Sequence, residues 1–112
     1  MSASPKHLYL TTTGRRSGRP RRIEIWFTRH DGRYYLIAEH GSKAQWVQNL
    51  LADPVVRVRV GARRFRGLAR VVDQRAQRSL VAVIRGLSEA KYGWGDGLVV
   101  EITPPQPARG GR

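Results

Sequence analysis

Hydrophobic positions along this chain fall mostly at a period of two, interrupted by two stretches whose period is nearer that of a helix. His7 to Thr13 (H-L-Y-L-T-T-T) is β-branched and aromatic and reads as a first strand. The segment G-R-R-S-G-R-P-R breaks it, and extended character resumes from Ile23 to Thr28, giving a hairpin with a long basic loop. Asp31-Gly32 is the strongest hairpin signal in the chain and joins that second strand to a third, Arg33 to Ala38. Three sequential antiparallel strands are expected.

Ser42-Lys43-Ala44-Gln45 fits a capping box, in which hydroxyl and carboxamide satisfy free amides at a helix start. Trp46, Val47, Leu50 and Leu51 then form one apolar face, and Asp53-Pro54 ends the helix because proline cannot continue it. Val55 to Val60 alternates strictly, so Val56, Val58 and Val60 face one side and Arg57 and Arg59 the other. Extended character returns from Arg64 to Val72. Asp73 caps a second helix with a core stripe of Ala76, Leu80, Val83, Ile84 and Leu87, ending before Tyr92. Y-G-W-G-D-G is a glycine-rich loop leading to a final strand, L-V-V-E-I. The order βββαββαβ implies an α+β fold, an antiparallel sheet of about six strands with two helices that closes into a barrel. One domain covers residues 1–103, and a disordered tail is expected over 104–112.

With 112 residues there is room for one core, and the 40% apolar share is ordinary for a soluble protein. A domain this small leaves much surface uncovered, which favours a homodimer. Cysteine is absent, which removes disulfides, thiolate nucleophiles and Cys-ligated metal sites. No apolar run has the length of a signal peptide or a membrane span, so a cytoplasmic protein is expected. The charge alters this picture: 21 basic against 8 acidic residues give +13. Nearly all the basic residues are arginines, whose planar fork suits bidentate phosphate contacts, although genome composition produces the same bias.

The segment from Thr11 to Arg21 packs hydroxyls, two glycines and Arg15, Arg16, Arg19 and Arg21 into one turn. Glycines let backbone amides approach an anion, and arginines fork onto its oxygens. The plainer reading is a solvated basic loop. Acid–base machinery is thin: His7, His30 and His40 are scattered, and no two carboxylates are spaced as a hydrolytic pair. His40 is of interest because it precedes the glycine and cap of the first helix. Chemistry carried by a cofactor is left, and that needs binding groups and aromatic walls more than catalytic side chains. Core packing is the expected place of Trp26, Trp46 is balanced between core and cofactor wall, and Tyr92 and Trp94 belong to a loop suited to binding.

T-T-T-G-R-R-S-G-R-P-R, the hairpin W-F-T-R-H-D-G-R-Y-Y-L-I-A and W-V-Q-N-L-L-A-D-P-V-V-R-V-R-V-G together resemble the deazaflavin-dependent nitroreductase family, over about Leu8 to Thr103. The resemblance implies an FMN-binding-like split β-barrel and coenzyme F420, with FMN as the alternative. It also implies hydride transfer to a quinone, nitroaromatic or activated enone. Arg15, Arg16, Ser17 and Arg21 fall on the family's phosphate-binding turn, Trp46 and Asn49 on its helix motif, and Ala38 to Gly41 beside the ring system. Glu39 and His40 stand where better-known members carry serine and lysine, which passes the cationic role to His40 or Lys43. The segment before the last strand is compressed to K-Y-G-W-G-D-G, and Tyr92 is carried over as a hydrogen-bond or proton donor to substrate. Little chain precedes the first strand, so the substrate-covering segment of longer members is expected to be missing.

Two other classes compete with the oxidoreductase. A small nucleic-acid-binding β-barrel would use Arg57, Arg59, Arg63, Arg64 and Arg66 as a basic face. A non-catalytic carrier would hold the coenzyme or another amphipathic anion without turning it over.

Overall fold

A computed structural model describes residues 5–105, so the tail expected over 104–112 lies, from residue 106 onward, outside the described residues. The elements run β1 (His7–Thr13), β2 (Pro20–Trp26), β3 (Thr28–His30), β4 (Arg33–Ala38), α1 (Gln45–Ala52), β5 (Val55–Val60), β6 (Arg63–Val71), α2 (Arg78–Tyr92) and β7 (Leu98–Thr103). The strands form one seven-stranded sheet in the order β2-β1-β5-β6-β7-β4-β3, antiparallel at every junction. With two helices this is an α+β half-barrel.

The seventh strand comes from a break that alternation alone did not reveal. The segment expected as one strand to Thr28 divides at Phe27, which belongs to neither β2 nor β3. The break sends β2 and β3 to opposite ends of the sheet, which therefore curls back on itself. The three strands expected in sequence are accordingly two pairs, β1–β2 and β3–β4. At the break Phe27 has lost its ladder, and helix α2 supplies the missing partners. Its amide donates to Tyr92 Oη (3.1 Å), and its carbonyl accepts from Lys91 Nζ (3.0 Å) and lies 2.8 Å from Tyr92 Oη.

The Asp31-Gly32 turn forms as expected, with φ of 53° and 77° at its two residues. The capping box does not form: Ser42 lies in a 3-10 turn, Gly41–Lys43, and α1 starts at Gln45 behind Ala44 with no side-chain cap. Helix α1 turns Val47 and Leu50 into the sheet's interior, against Leu8, Leu10, Leu36, Val58, Val100 and Ile102. Helix α2 packs outside, where Val81 and Ile84 meet Tyr35, Val72 and Val99. Its buried stripe is Val81, Ile84 and Ser88, so Val83 and Leu87, expected in the core, are exposed. Asp73 accepts from the amides of Arg75 and Ala76 and caps the turn leading into α2, while the helix itself runs through Tyr92 to a left-handed Gly93.

Beneath α2 a carboxylate is tied into the sheet. Tyr35, Glu101 and Arg70 are cross-strand neighbours on β4, β7 and β6. Glu101 accepts from Tyr35 Oη (2.7 Å) and Arg70 Nε (2.6 Å). Burial pushes the Glu101 carboxyl up, but the bonds from Arg70 and Tyr35 outweigh it and hold it below the usual carboxylate range. Burial and the bond to that carboxylate drive the Tyr35 phenol well above its ordinary value.

Candidate functional site

The β1–β2 connection closes on itself through backbone bonds. The Gly14 amide donates to the Arg19 carbonyl and the Gly18 amide to the Gly14 carbonyl, both at 2.8 Å. Position 14 is tight: a Cβ there would stand 2.7 Å from Ser17 Oγ, which would have to turn away, and 3.2 Å from the Arg19 carbonyl. This tight turn is fastened to α1 by Asn49, which is 5% exposed. Asn49 Oδ1 accepts from the Arg15 amide (3.1 Å) and Arg15 Nη1 (3.2 Å), and its Nδ2 donates to Thr12 Oγ1 (3.1 Å). Gln45 Oε1 takes Arg15 Nη1 at 2.8 Å. The guanidinium is thus oriented by two carboxamides, which fix its geometry and leave its charge uncompensated.

Arg15, Arg16, Ser17, Arg21, Trp46 and Asn49 line a cavity of about 380 Å³ with no carboxylate in its lining among the described residues. A second cavity, of about 650 Å³, shares Trp46 with the first. Its walls include Trp26, Trp46 and Trp94 over Ile25, Ile37 and Ala38, with His7, Glu24, Glu39 and His40 also on the lining. Strand β2 runs beneath both, Ile23 facing the first cavity and Ile25 the second. Trp26 stacks on Tyr92 with ring centres 4.4 Å apart and meets Trp94 edge-on at 6.4 Å. Its indole N–H donates to His7 Nε2 (3.2 Å), which turns His7 Nδ1 toward Glu24 at 3.7 Å. The groove therefore has a cationic end and an aromatic end joined at one indole.

The structure brings together most of the residues expected at a site. Arg15, Arg16, Ser17, Arg21 and Asn49 meet at the cationic end, Ala38 and His40 at the aromatic end, and Trp46 at both. Gly41 and Lys43 lie in the 3-10 turn and line neither cavity. Tyr92 stands behind Trp26 and lines neither cavity, its hydroxyl engaged with Phe27 and the Lys6 carbonyl (2.6 Å). Trp26, expected in the core, is 41% exposed. The alternation of I-E-I-W already held that signal, because Ile23 and Ile25 turn inward and the next residue must turn out. The pairing of His7 with Glu24 had no sequence signal, since β1–β2 register creates it.

A family model described as F420H(2)-dependent quinone reductase matches residues 1–94. The chain belongs to that family. An F420H(2)-dependent quinone reductase of Mycobacterium tuberculosis is 34% identical over 65 residues, which cover 55% of this chain and 44% of that protein. The chain thus matches less than half the length of this curated family relative. Among solved structures, an F420-H2 dependent reductase (FDR-A) superposes with a TM-score of 0.68 at 21% identity, covering 91% of this chain and 96% of that one. HutZ, the heme storage protein from Vibrio cholerae, superposes with a TM-score of 0.69 at 18% identity, covering 92% and 84%. At these identities the two structures speak for the fold, which family members share with proteins of other function.

Proposed function

We propose that this member of the quinone reductase family binds coenzyme F420 along the groove and passes a hydride from its reduced form to a quinone. The observation that carries the reading is the joined pair of cavities, one cationic and one aromatic. A coenzyme with a phosphate-bearing tail and a planar ring needs both kinds of surface side by side. Arg15, Arg16 and Arg21 take the phosphate, with Ser17 as an uncharged donor, and Trp26, Trp46 and Trp94 wall the ring. Glu24 and Glu39 at the aromatic end repel an anion, so the two ends also fix the direction in which the molecule lies.

When bound and reduced, the deazaflavin supplies the hydride, and one proton completes the quinol. The chain's own residues hold the ring, keep water from its apolar face through Ile25, Ile37 and Ala38, and offer His7 and His40 as proton carriers at the lining. Tyr92, expected as a substrate donor, acts here through Trp26, which it backs by stacking. FMN also carries a phosphate and a ring, and it is the alternative occupant. A nitroaromatic or an activated enone is an alternative acceptor.

The working location is the cytoplasm, and among the described residues no helix is long and apolar enough to cross a membrane. The working unit is a homodimer, for which the exposed Val83 and Leu87 on α2 offer apolar surface. A structural neighbour described as a domain-swapped dimer supports that assembly, at a TM-score of 0.62 and 21% identity. The experiment is a fluorescence titration of the purified chain with F420 and with FMN, followed by single-turnover oxidation of the reduced coenzyme by a soluble quinone. Saturable binding with no turnover would leave a carrier, and binding of neither coenzyme would overturn the reading.

A further inference from the structure

The outer face of the sheet carries a shallow concavity of about 520 Å³ that shares no lining residue with the groove. Alternation turns Arg57 and Arg59 of β5 to the same side as Arg64 and Arg66 of β6. Register then sets Arg57 directly opposite Arg66 and Arg59 directly opposite Arg64. Arg22 of β2 joins them, its guanidinium 4.1 Å over the Tyr9 ring. Among the described residues none of these five arginines has an ion-pair partner. Like charges directly opposite in a sheet oppose its pairing, and here two such pairs occupy successive outward rungs. An anion that bridges them converts that repulsion into binding.

The ladder's next outward rung is of a different kind. Val55 faces Leu68, and they are 36% and 58% exposed. We infer that this face docks on the surface of an anionic bilayer, with lipid phosphates between the arginine rungs and the aliphatic rung dipping into the interface. A polynucleotide fits less well. Arg22 covers Tyr9, so the ring beside the arginine rungs is occupied by a cation rather than open for base stacking. A nucleic acid would also leave the Val55–Leu68 rung in water.

Docking in this way has a consequence for the groove. His7, Glu24 and Trp26, on the rim of the aromatic cavity, lie on the same side of β1–β2 as Tyr9 and Arg22. The docked face therefore brings that rim to the bilayer, where quinones with apolar tails reside. This link rests on the proposed function, whereas the docking does not.

The test is flotation of the intact chain with vesicles of phosphatidylcholine alone and of phosphatidylcholine with about one-third phosphatidylglycerol. Arg57→Gln/Arg66→Gln is compared with Arg75→Gln/Arg78→Gln, which removes the same charge beside α2. The first variant is expected to lose about thirtyfold in partitioning, about fivefold per arginine, and the second severalfold at most. Leu68→Ser is expected to weaken the binding that persists at high salt. Thermal melts check folding, and relief of a like-charge pair predicts that Arg57→Gln/Arg66→Gln is at least as stable as the parent. Equal losses in the two double variants would show mere net charge and overturn the proposal. So would tight binding to a single-stranded oligonucleotide without binding to the anionic vesicles. Coenzyme titration of Arg57→Gln/Arg66→Gln, expected to match the parent, separates failure of this proposal from failure of the coenzyme reading.

Discussion

Replacing Asn49 with aspartate changes one atom type at the junction of turn, strand and helix, and the structure gives its effect a size. Asn49 Oδ1 lies 3.2 Å from Arg15 Nη1, so a carboxylate there keeps the acceptors for Arg15 while neutralising one of the three guanidinia that line the cationic cavity. It also sets a negative charge on the wall where an anion must sit. Two unit charges ~6 Å apart in an effective dielectric of ~20 repel by ~3 kcal/mol. Solvent in an open cavity reduces this to about 1.5–2 kcal/mol, a loss of about ten- to thirtyfold in coenzyme affinity. Asn49→Ala is the companion variant. It orphans the Arg15 amide and the Thr12 hydroxyl, at a cost of about 1–3 kcal/mol in stability, but adds no charge. Fluorescence titration at low and high salt separates the two, because the aspartate effect shrinks with salt and the alanine effect does not. A folded Asn49→Asp protein that binds coenzyme as tightly as the parent at low salt would refute the assignment of this cavity to the anionic end.

Glu101→Gln removes the buried carboxylate beneath α2 and should cost about 1–2 kcal/mol at neutral pH, a modest figure because Arg70's side chain is 49% exposed and regains water. Glu101 titrates below the usual carboxylate range in the folded chain. Its contribution is therefore present above that range and drains as pH falls through the depressed value, so the variant should flatten the acid limb of a plot of Tm against pH. Tyr92→Phe keeps the stack on Trp26 but loses the hydroxyl at the Phe27 break. It should lower stability by about 1–2 kcal/mol and leave kcat within a few-fold, whereas a hundredfold fall in kcat at unchanged stability would restore Tyr92 as a proton donor. Gly14→Ala drives a methyl against Ser17 Oγ and should open the turn, weakening coenzyme binding while the melting curve shifts little, as titration and calorimetry would show.

Local chemistry was readable where it acts on its own residues. The Asp31-Gly32 turn, the alternation of Val55 to Val60 and the stop at Asp53-Pro54 all stand as the sequence implies. The basic turn was legible as a turn but fitted a solvated loop as well, and its fastening to α1 through Asn49 is visible only in the fold. Features decided by the closed sheet were hidden. Nothing within Ile23 to Thr28 marks Phe27 as the point where the chain crosses from one end of the sheet to the other, since its compensating partners, Lys91 and Tyr92, lie more than sixty residues away. The capping box failed because Gln45 serves Arg15 instead of the helix start, a contact made across the groove. Helix α2 offered apolar residues on more than one face, and only its docking on Tyr35, Val72 and Val99 decided that Val81 goes in and Val83 stays out.

The groove's role is tested most directly by titrating the chain with F420 while following coenzyme fluorescence, alongside Arg16→Gln/Arg21→Gln, which removes cavity charge without touching the anchor of Arg15. Saturable binding that weakens at least tenfold in the double variant, and that a tryptophan change at Trp46 also weakens, is the predicted result. Binding that ignores both changes, or no binding by the folded parent, would contradict it.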